Sequence, residues 1–135
     1  MLLAMSILVL YSLALFYFST FWKKVESEYS GGGSDLSITV VVPFRNEVEN
    51  LKALADCLNQ QSYSSFEVVF VDDHSDDGSW ELLQGIAPSF NFRFKMEQLE
   101  SGNGKKKAIL HAIDHSASEI ILTTDADCTM GKDWI

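Results

Sequence analysis

Short apolar runs separated by helix-patterned segments constrain this chain more than any other feature. Ile38-Thr39-Val40-Val41-Val42 and Phe66 to Val71 are apolar and rich in β-branched residues, which fits buried parallel strands. Phe90-Asn91-Phe92-Arg93-Phe94 alternates and predicts a half-exposed strand, and Ile120 to Thr123 predicts a fourth. Between them, Leu51, Leu54, Ala55 and Leu58 recur at helical spacing, after an Asn46 cap with Glu49 as its capping-box partner. Trp80 to Ile86 reads as a short helix closed by Gly85 and Pro88. Lys105 to Ser116 reads as a helix with Ile109, Ala112 and Ile113 inward, opened by the turn Ser101-Gly102-Asn103-Gly104. The order β-α-β-α-β-α-β is most simply satisfied by a parallel sheet with right-handed crossovers.

Two of the runs end in acidic clusters. Phe66-Glu67-Val68-Val69-Phe70 leads into Val71-Asp72-Asp73-His74-Ser75-Asp76-Asp77-Gly78-Ser79, and Glu119 to Thr123 leads into Thr124-Asp125-Ala126-Asp127-Cys128. Ligands of open parallel sheets bind beyond the carboxyl ends of the strands. Segments 43–46, 72–78 and 124–127 all fall there, which predicts one shared crevice. Asp125-Ala126-Asp127 can present two carboxylates to one ion, and Mg²⁺ or Mn²⁺ takes such oxygen ligands together with substrate phosphates. Exposed turns are also rich in Asp, so the motif gains weight only from its place at a strand end. In the first cluster, Asp76, Asp77 and Ser79 read as structural, while one of Asp72 and Asp73 faces ligand.

Gly104-Lys105-Lys106-Lys107 lacks the P-loop pattern. Lysines at a helix N-terminus oppose the macrodipole, and a bound diphosphate is one compensation. A solvated turn accounts for Lys106 and Lys107 equally well. His111 and His115 have a zinc-compatible spacing, but the sequence offers no third ligand, so they read as a solvent-facing pair. His74 reads as a turn residue among the carboxylates. Cys57 and Cys128 read as small thiols rather than as a disulfide or a zinc site.

The N-terminal part differs in kind. Residues 2–22 carry no charge and are almost wholly apolar. About 20 such residues match a hydrocarbon core of roughly 30 Å, which predicts a transmembrane anchor over 1–24. Ser6, Ser12, Ser19 and Thr20 can bond back to helix carbonyls, and Tyr17, Phe18, Phe21 and Trp22 suit an interfacial belt. Lys23 and Lys24 then place the remainder in the cytoplasm, past a Gly/Ser linker over 25–36. A cleaved signal peptide fits less well, because no basic residue opens the run. The net charge of −9 with no basic stripe argues against a nucleic-acid backbone partner.

Val41-Val42-Pro43-Phe44-Arg45-Asn46-Glu47, Val71 to Ser79, Gly104-Lys105-Lys106-Lys107-Ala108 and Thr124-Asp125-Ala126-Asp127 together resemble the family-2 glycosyltransferases of GT-A fold. The resemblance runs over 37–135. It implies an α/β fold, a Rossmann-like GT-A nucleotide-binding sheet present in part, preceded here by the one transmembrane helix. It also implies a UDP- or GDP-sugar donor, Mg²⁺ or Mn²⁺, and transfer to a hydroxyl acceptor, lipid-linked or glycan, at the membrane. Carried over by position, Pro43, Arg45 and Glu47 line the nucleoside pocket, and Asp73, with Asp72 behind it, holds the base. Lys105 lies near the nucleotide, Asp125 approaches ribose and metal, and Asp127 is the direct metal ligand. The family's general base follows the metal motif, so it is expected beyond Ile135 and the chain as a donor-binding fragment. Two alternatives stand beside this. One is a catalytically inactive nucleotide-binding protein. The other is a receiver-like signalling module, whose acidic pair follows the first strand rather than the second.

Overall fold

The computed structural model describes residues 2–29, 36–100 and 104–135. The chain divides into two compact units, Met1–Ser34 and Asp35–Ile135. The first contains one helix, α1, Leu2–Tyr29. Its Ser12 and Thr20 hydroxyls donate back to Leu8 O (2.9 Å) and Tyr17 O (2.8 Å), as their types predict. The expectation of a membrane-crossing anchor over 1–24, with the rest cytoplasmic, is corrected here. Among the described residues, no helix is long and apolar enough to cross a membrane. The helix continues through Tyr29 into the stretch read as linker, and the glycine-rich part of that linker lies outside the described residues.

In the second unit, β1 (Ile38–Phe44), β2 (Phe66–Asp72), β3 (Arg93–Gln98) and β4 (Ile120–Thr123) form one parallel sheet. Its order is β3-β2-β1-β4. The chain winds outward from β1 through β2 to β3, then crosses back to place β4 on the other side of β1. β3-β2-β1 is the order of one mononucleotide-binding half, and β4 on the other side of β1 puts the switch point between β1 and β4. A flavodoxin-like receiver has the order 2-1-3-4-5 instead, so that alternative falls on topology.

The two sheet faces bury different side chains, as the period of two in a strand requires. Val40, Val42, Phe44, Val68 and Phe70 pack with Leu51, Leu54 and Leu58 of α2 (Leu51–Asn59) and Leu83 of α3 (Ser79–Ile86). Val41, Val69 and Val71 pack on the opposite face against Ala108 and Ala112 of α4 (Lys105–Asp114). Small residues let α4 approach closely. Ile113, expected inward, is instead 39% exposed, and Ala108 takes the buried position.

Three further boundaries differ from the reading above. Pro43 lies inside β1 rather than ending it. Successive strand residues turn their N–H and C=O to alternate sides, and Thr124 N–H donates to Val41 O while Asp73 N–H donates to Phe44 O. The missing N–H of Pro43 therefore faces the β4 side, beyond the last ladder pair Val41–Thr123, where no bond is lost. Phe90 and Phe92 precede β3 and stack at 4.9 Å between centroids, with Phe66 and Phe70 alongside. That aromatic cluster displaces the strand towards Gln98. Asn46 does not cap α2, which begins at Leu51 with no side-chain cap; Glu47 O receives the first bonds instead, from Asn50 N–H and Leu51 N–H.

Candidate functional site

The loops after β1 and β2 are fastened to each other. Asn46 N–H donates to Ser75 Oγ (3.0 Å) and Asp76 N–H to Asn46 Oδ1 (2.9 Å). Glu47 N–H donates to Ser79 Oγ (2.8 Å) and Val48 N–H to Asp77 Oδ2 (3.1 Å). Asn46 and His74 both adopt positive φ, 56° and 61°, which aims their neighbours at one another at a cost in backbone strain. Gly78, at φ 90°, turns the chain into α3 where a side chain would be strained. The Ser79 hydroxyl, and then the Val48 and Ser79 amides, hold the Asp77 carboxyl below its ordinary value of 3.8.

Asp72 and Asp73 are both nearly inaccessible but are spent differently. Asp72 accepts from Ser75 N–H and Gln98 Nε2, each at 3.0 Å, and tightens the loop from within. Asp73 accepts from Gly104 N–H at 2.7 Å through Oδ2, tying the start of α4 to β2, and its Oδ1 lies 3.2 Å from His74 Nδ1. Each carboxylate oxygen keeps a second lone pair. After β4, Thr124 N–H extends the ladder by one bond to Val41 O, and Cys128 N–H closes a turn on Asp125 O. Lys105 forms an ion pair with Asp125.

These segments enclose a cavity of about 250 Å³, lined by Pro43, Phe44, Arg45, Glu47, Asp73, Lys105, Asp125, Ala126 and Asp127. Seven of the eight residues singled out from the sequence lie on it. Asp72 does not, because its position at the end of β2 turns it into the loop. Phe44 and Ala126 line the cavity without having been singled out, being apolar residues inside otherwise polar motifs. Asn46, Ser75 and Asp77 act behind the lining, where only the loop-to-loop bonds reveal them. A second depression of about 620 Å³ adjoins the first and shares Lys105 and Asp125 with it.

The lining carries four carboxylates, Glu47, Asp73, Asp125 and Asp127, against two cations, Arg45 and Lys105, a balance of −2. Asp125 and Asp127 suit a hard divalent ion, and such sites commonly supply only a few carboxylates because phosphates complete the shell. A lining of this net charge repels an unaccompanied polyanion.

A parallel α/β sheet with a carboxylate-lined cavity at its switch point is the ligand-binding arrangement of the open α/β class. The sequence comparison narrows it. The family model described as Glycosyl transferase family 2 matches residues 39–135, and the chain belongs to that family. Among curated relatives, the amylovoran biosynthesis glycosyltransferase AmsB of Erwinia amylovora is 31% identical over 106 residues, covering 73% of this chain and 33% of that protein. Glycosyltransferase AglE of Haloferax volcanii is 27% identical over 101 residues, with the same 73% and 33% coverage. The chain thus spans about a third of the length of these relatives. Among solved structures, the mannosyltransferase PcManGT of Pyrobaculum calidifontis, in complex with GDP-Man and Mn²⁺, superposes with a TM-score of 0.65 at 25% identity, over 86% of this chain and 37% of that one. S. aureus TarS in complex with UDP superposes with 0.64 at 29% identity, over 73% and 29%.

Proposed function

We propose that this chain forms the donor-binding part of a glycosyltransferase that uses a UDP- or GDP-sugar and a divalent metal, Mg²⁺ or Mn²⁺. The observation that carries this is the convergence of Arg45, Glu47, Asp73, Lys105, Asp125 and Asp127 on one cavity at the β1/β4 switch point. In this reading Asp73 accepts hydrogen bonds from the nucleobase, with Asp72 fixing its loop. Pro43, Arg45 and Glu47 flank the nucleoside. Asp125 and Asp127 would hold the metal, which would supply positive charge against a departing diphosphate. Lys105 adds a second positive charge on the diphosphate side. The bond between the anomeric carbon and the phosphate oxygen breaks while the acceptor oxygen bonds that carbon, and the acceptor proton passes to a base not assigned to any residue of this chain. A lipid-linked or glycan hydroxyl is the acceptor class this reading favours. The structural neighbours in complex with UDP and with GDP-Man and Mn²⁺ support it by likeness.

Calorimetric titration of the chain with UDP and with GDP, with and without Mn²⁺, tests it. One nucleoside diphosphate should bind in a metal-dependent way, and Asp127→Asn should weaken that binding by tenfold or more. Metal-independent binding, or binding untouched in Asp127→Asn, would sink the donor-site assignment. Binding without sugar transfer by the full-length protein would favour the inactive nucleotide-binding alternative.

A further inference from the structure

Away from the donor cavity, one group of side chains has no role in that reading. Glu97 lies on the edge strand β3, and His111 and His115 lie one turn apart on α4, which covers the same sheet face. One ligand atom from each lies within 4.8 Å of the other two, the only such trio among the described residues. The sequence hides it, because Glu97 is separated from the histidines by a turn and half a helix. From these contacts we propose that Glu97, His111 and His115 form a second metal site, selective for Zn²⁺ over Mg²⁺ and Mn²⁺, that clamps α4 to β3.

The donor set argues for zinc. Two imidazoles and one carboxylate suit a borderline-soft ion, whereas hard ions prefer all-oxygen shells. His111 Nε2 is 2.6 Å from Glu97 Oε2, so a carboxylate already faces the imidazole nitrogen that would bind metal. His115 Nδ1 is 2.7 Å from His111 O. A carbonyl only accepts, so Nδ1 carries the proton and Nε2 keeps its lone pair. A histidine ligand fixed through its other nitrogen is the usual second-shell device of zinc sites. Tetrahedral zinc with bonds of about 2.0–2.1 Å needs donors roughly 3.3 Å apart, so closing the trio takes a side-chain adjustment of about 1.5 Å. The His111 and Glu97 side chains are 29% and 24% exposed, which leaves a fourth position open to water. Metal at this place pins the helix whose first residues hold Asp73 and Asp125.

Titration of the metal-free full chain with Zn²⁺ in excess Mg²⁺, read by calorimetry and by competition with a chromophoric chelator, tests this. One equivalent should bind, with a rise in the thermal midpoint. Affinity should fall roughly tenfold or more in His111→Ala and in His115→Ala, and remain unchanged in Asp127→Asn and Cys128→Ser. Glu97→Gln can keep the hydrogen bond to His111 but loses the anionic ligand, so it should weaken zinc while sparing the metal-free midpoint. Co²⁺ in place of zinc should give tetrahedral visible bands without thiolate charge transfer. Binding unchanged in His115→Ala, whose side chain is exposed, overturns the proposal. So does binding lost in Asp127→Asn or Cys128→Ser, or a thiolate band with Co²⁺.

Discussion

Neighbouring residues of one type divide the work at the strand-end cavity. Asp72 is spent inside its loop and Asp73 faces the cavity, because a strand's side chains alternate and β2 ends between them. Asp77 does neither; it fastens the loop after β2 to the loop after β1. Its bonds to the Ser79 hydroxyl and to the amides of Val48 and Ser79 require the carboxylate form, which lowers its pKa from 3.8. Between that lowered value and 3.8 the unfolded chain binds the extra proton and the native chain does not, so stability rises with pH across that window. The contribution is present above 3.8 and is lost as pH falls through the native value. Asp77→Asn should therefore be less stable at neutral pH and lose less on acidification below about pH 4, as thermal midpoints measured against pH will show. A wild-type and a variant curve that stay parallel below pH about 4 would show that the latch does not depend on the charge.

Elements are joined here by side chains whose partners are far away in sequence. Gln61, in the connection from α2 to β2, donates through Nε2 to Gly131 O (2.8 Å) and accepts through Oε1 from Trp134 N–H and Ile135 N–H (3.1 Å each). Ser62 adds N–H to Lys132 O (2.7 Å) and Oγ to Asp133 Oδ1 (2.8 Å), so the segment after the Asp125–Asp127 turn is fixed to the far end of α2. Gln61→Ala strips several of these at once and should cost about 1–3 kcal/mol. The loss will register as a lower unfolding midpoint and faster amide exchange at Trp134 and Ile135; unchanged exchange there would refute the anchoring role. Such a residue is not legible in a sequence, because its partners Gly131, Trp134 and Ile135 lie far along the chain. β1, β2 and β4 were legible because each is a short apolar run, and β4 falls on the residues the pattern marks. The start of β3 was not, because stacking of Phe90 on Phe92 outweighs their alternation. Ile113 and Ala108 exchanged places for a related reason: close approach of α4 to the sheet selects the smaller side chain, which hydrophobicity alone does not reveal. Most of the cavity lining could be read because its residues follow strands directly, whereas Glu97, His111 and His115 meet only through the packing of α4 beside β3.

For the second unit as a whole, topology and charge act together. The 3-2-1-4 order opens the crevice between β1 and β4 and brings three strand-end loops and the start of α4 to it, so one fold event assembles the cavity. The assembled charge is −2, and Lys105 is one of the two cations that keep it from being lower. Lys105 also occupies Asp125, one of the two proposed metal ligands, in the ligand-free protein. Its two effects have opposite signs. Removing it frees Asp125 and makes the cavity more negative, which favours a lone divalent cation, yet it takes away a positive charge from the diphosphate. Both partners of the pair are about half exposed, so the competition is worth at most about 1 kcal/mol. Lys105→Ala should thus bind Mn²⁺ alone up to about fivefold more tightly while binding nucleoside diphosphate with Mn²⁺ more weakly, the two read in separate titrations. If both affinities fall, Lys105 holds the cavity in shape rather than setting its charge. If neither changes, the ion pair with Asp125 is a solvated surface contact, and the lysine at the start of α4 has no part in donor binding.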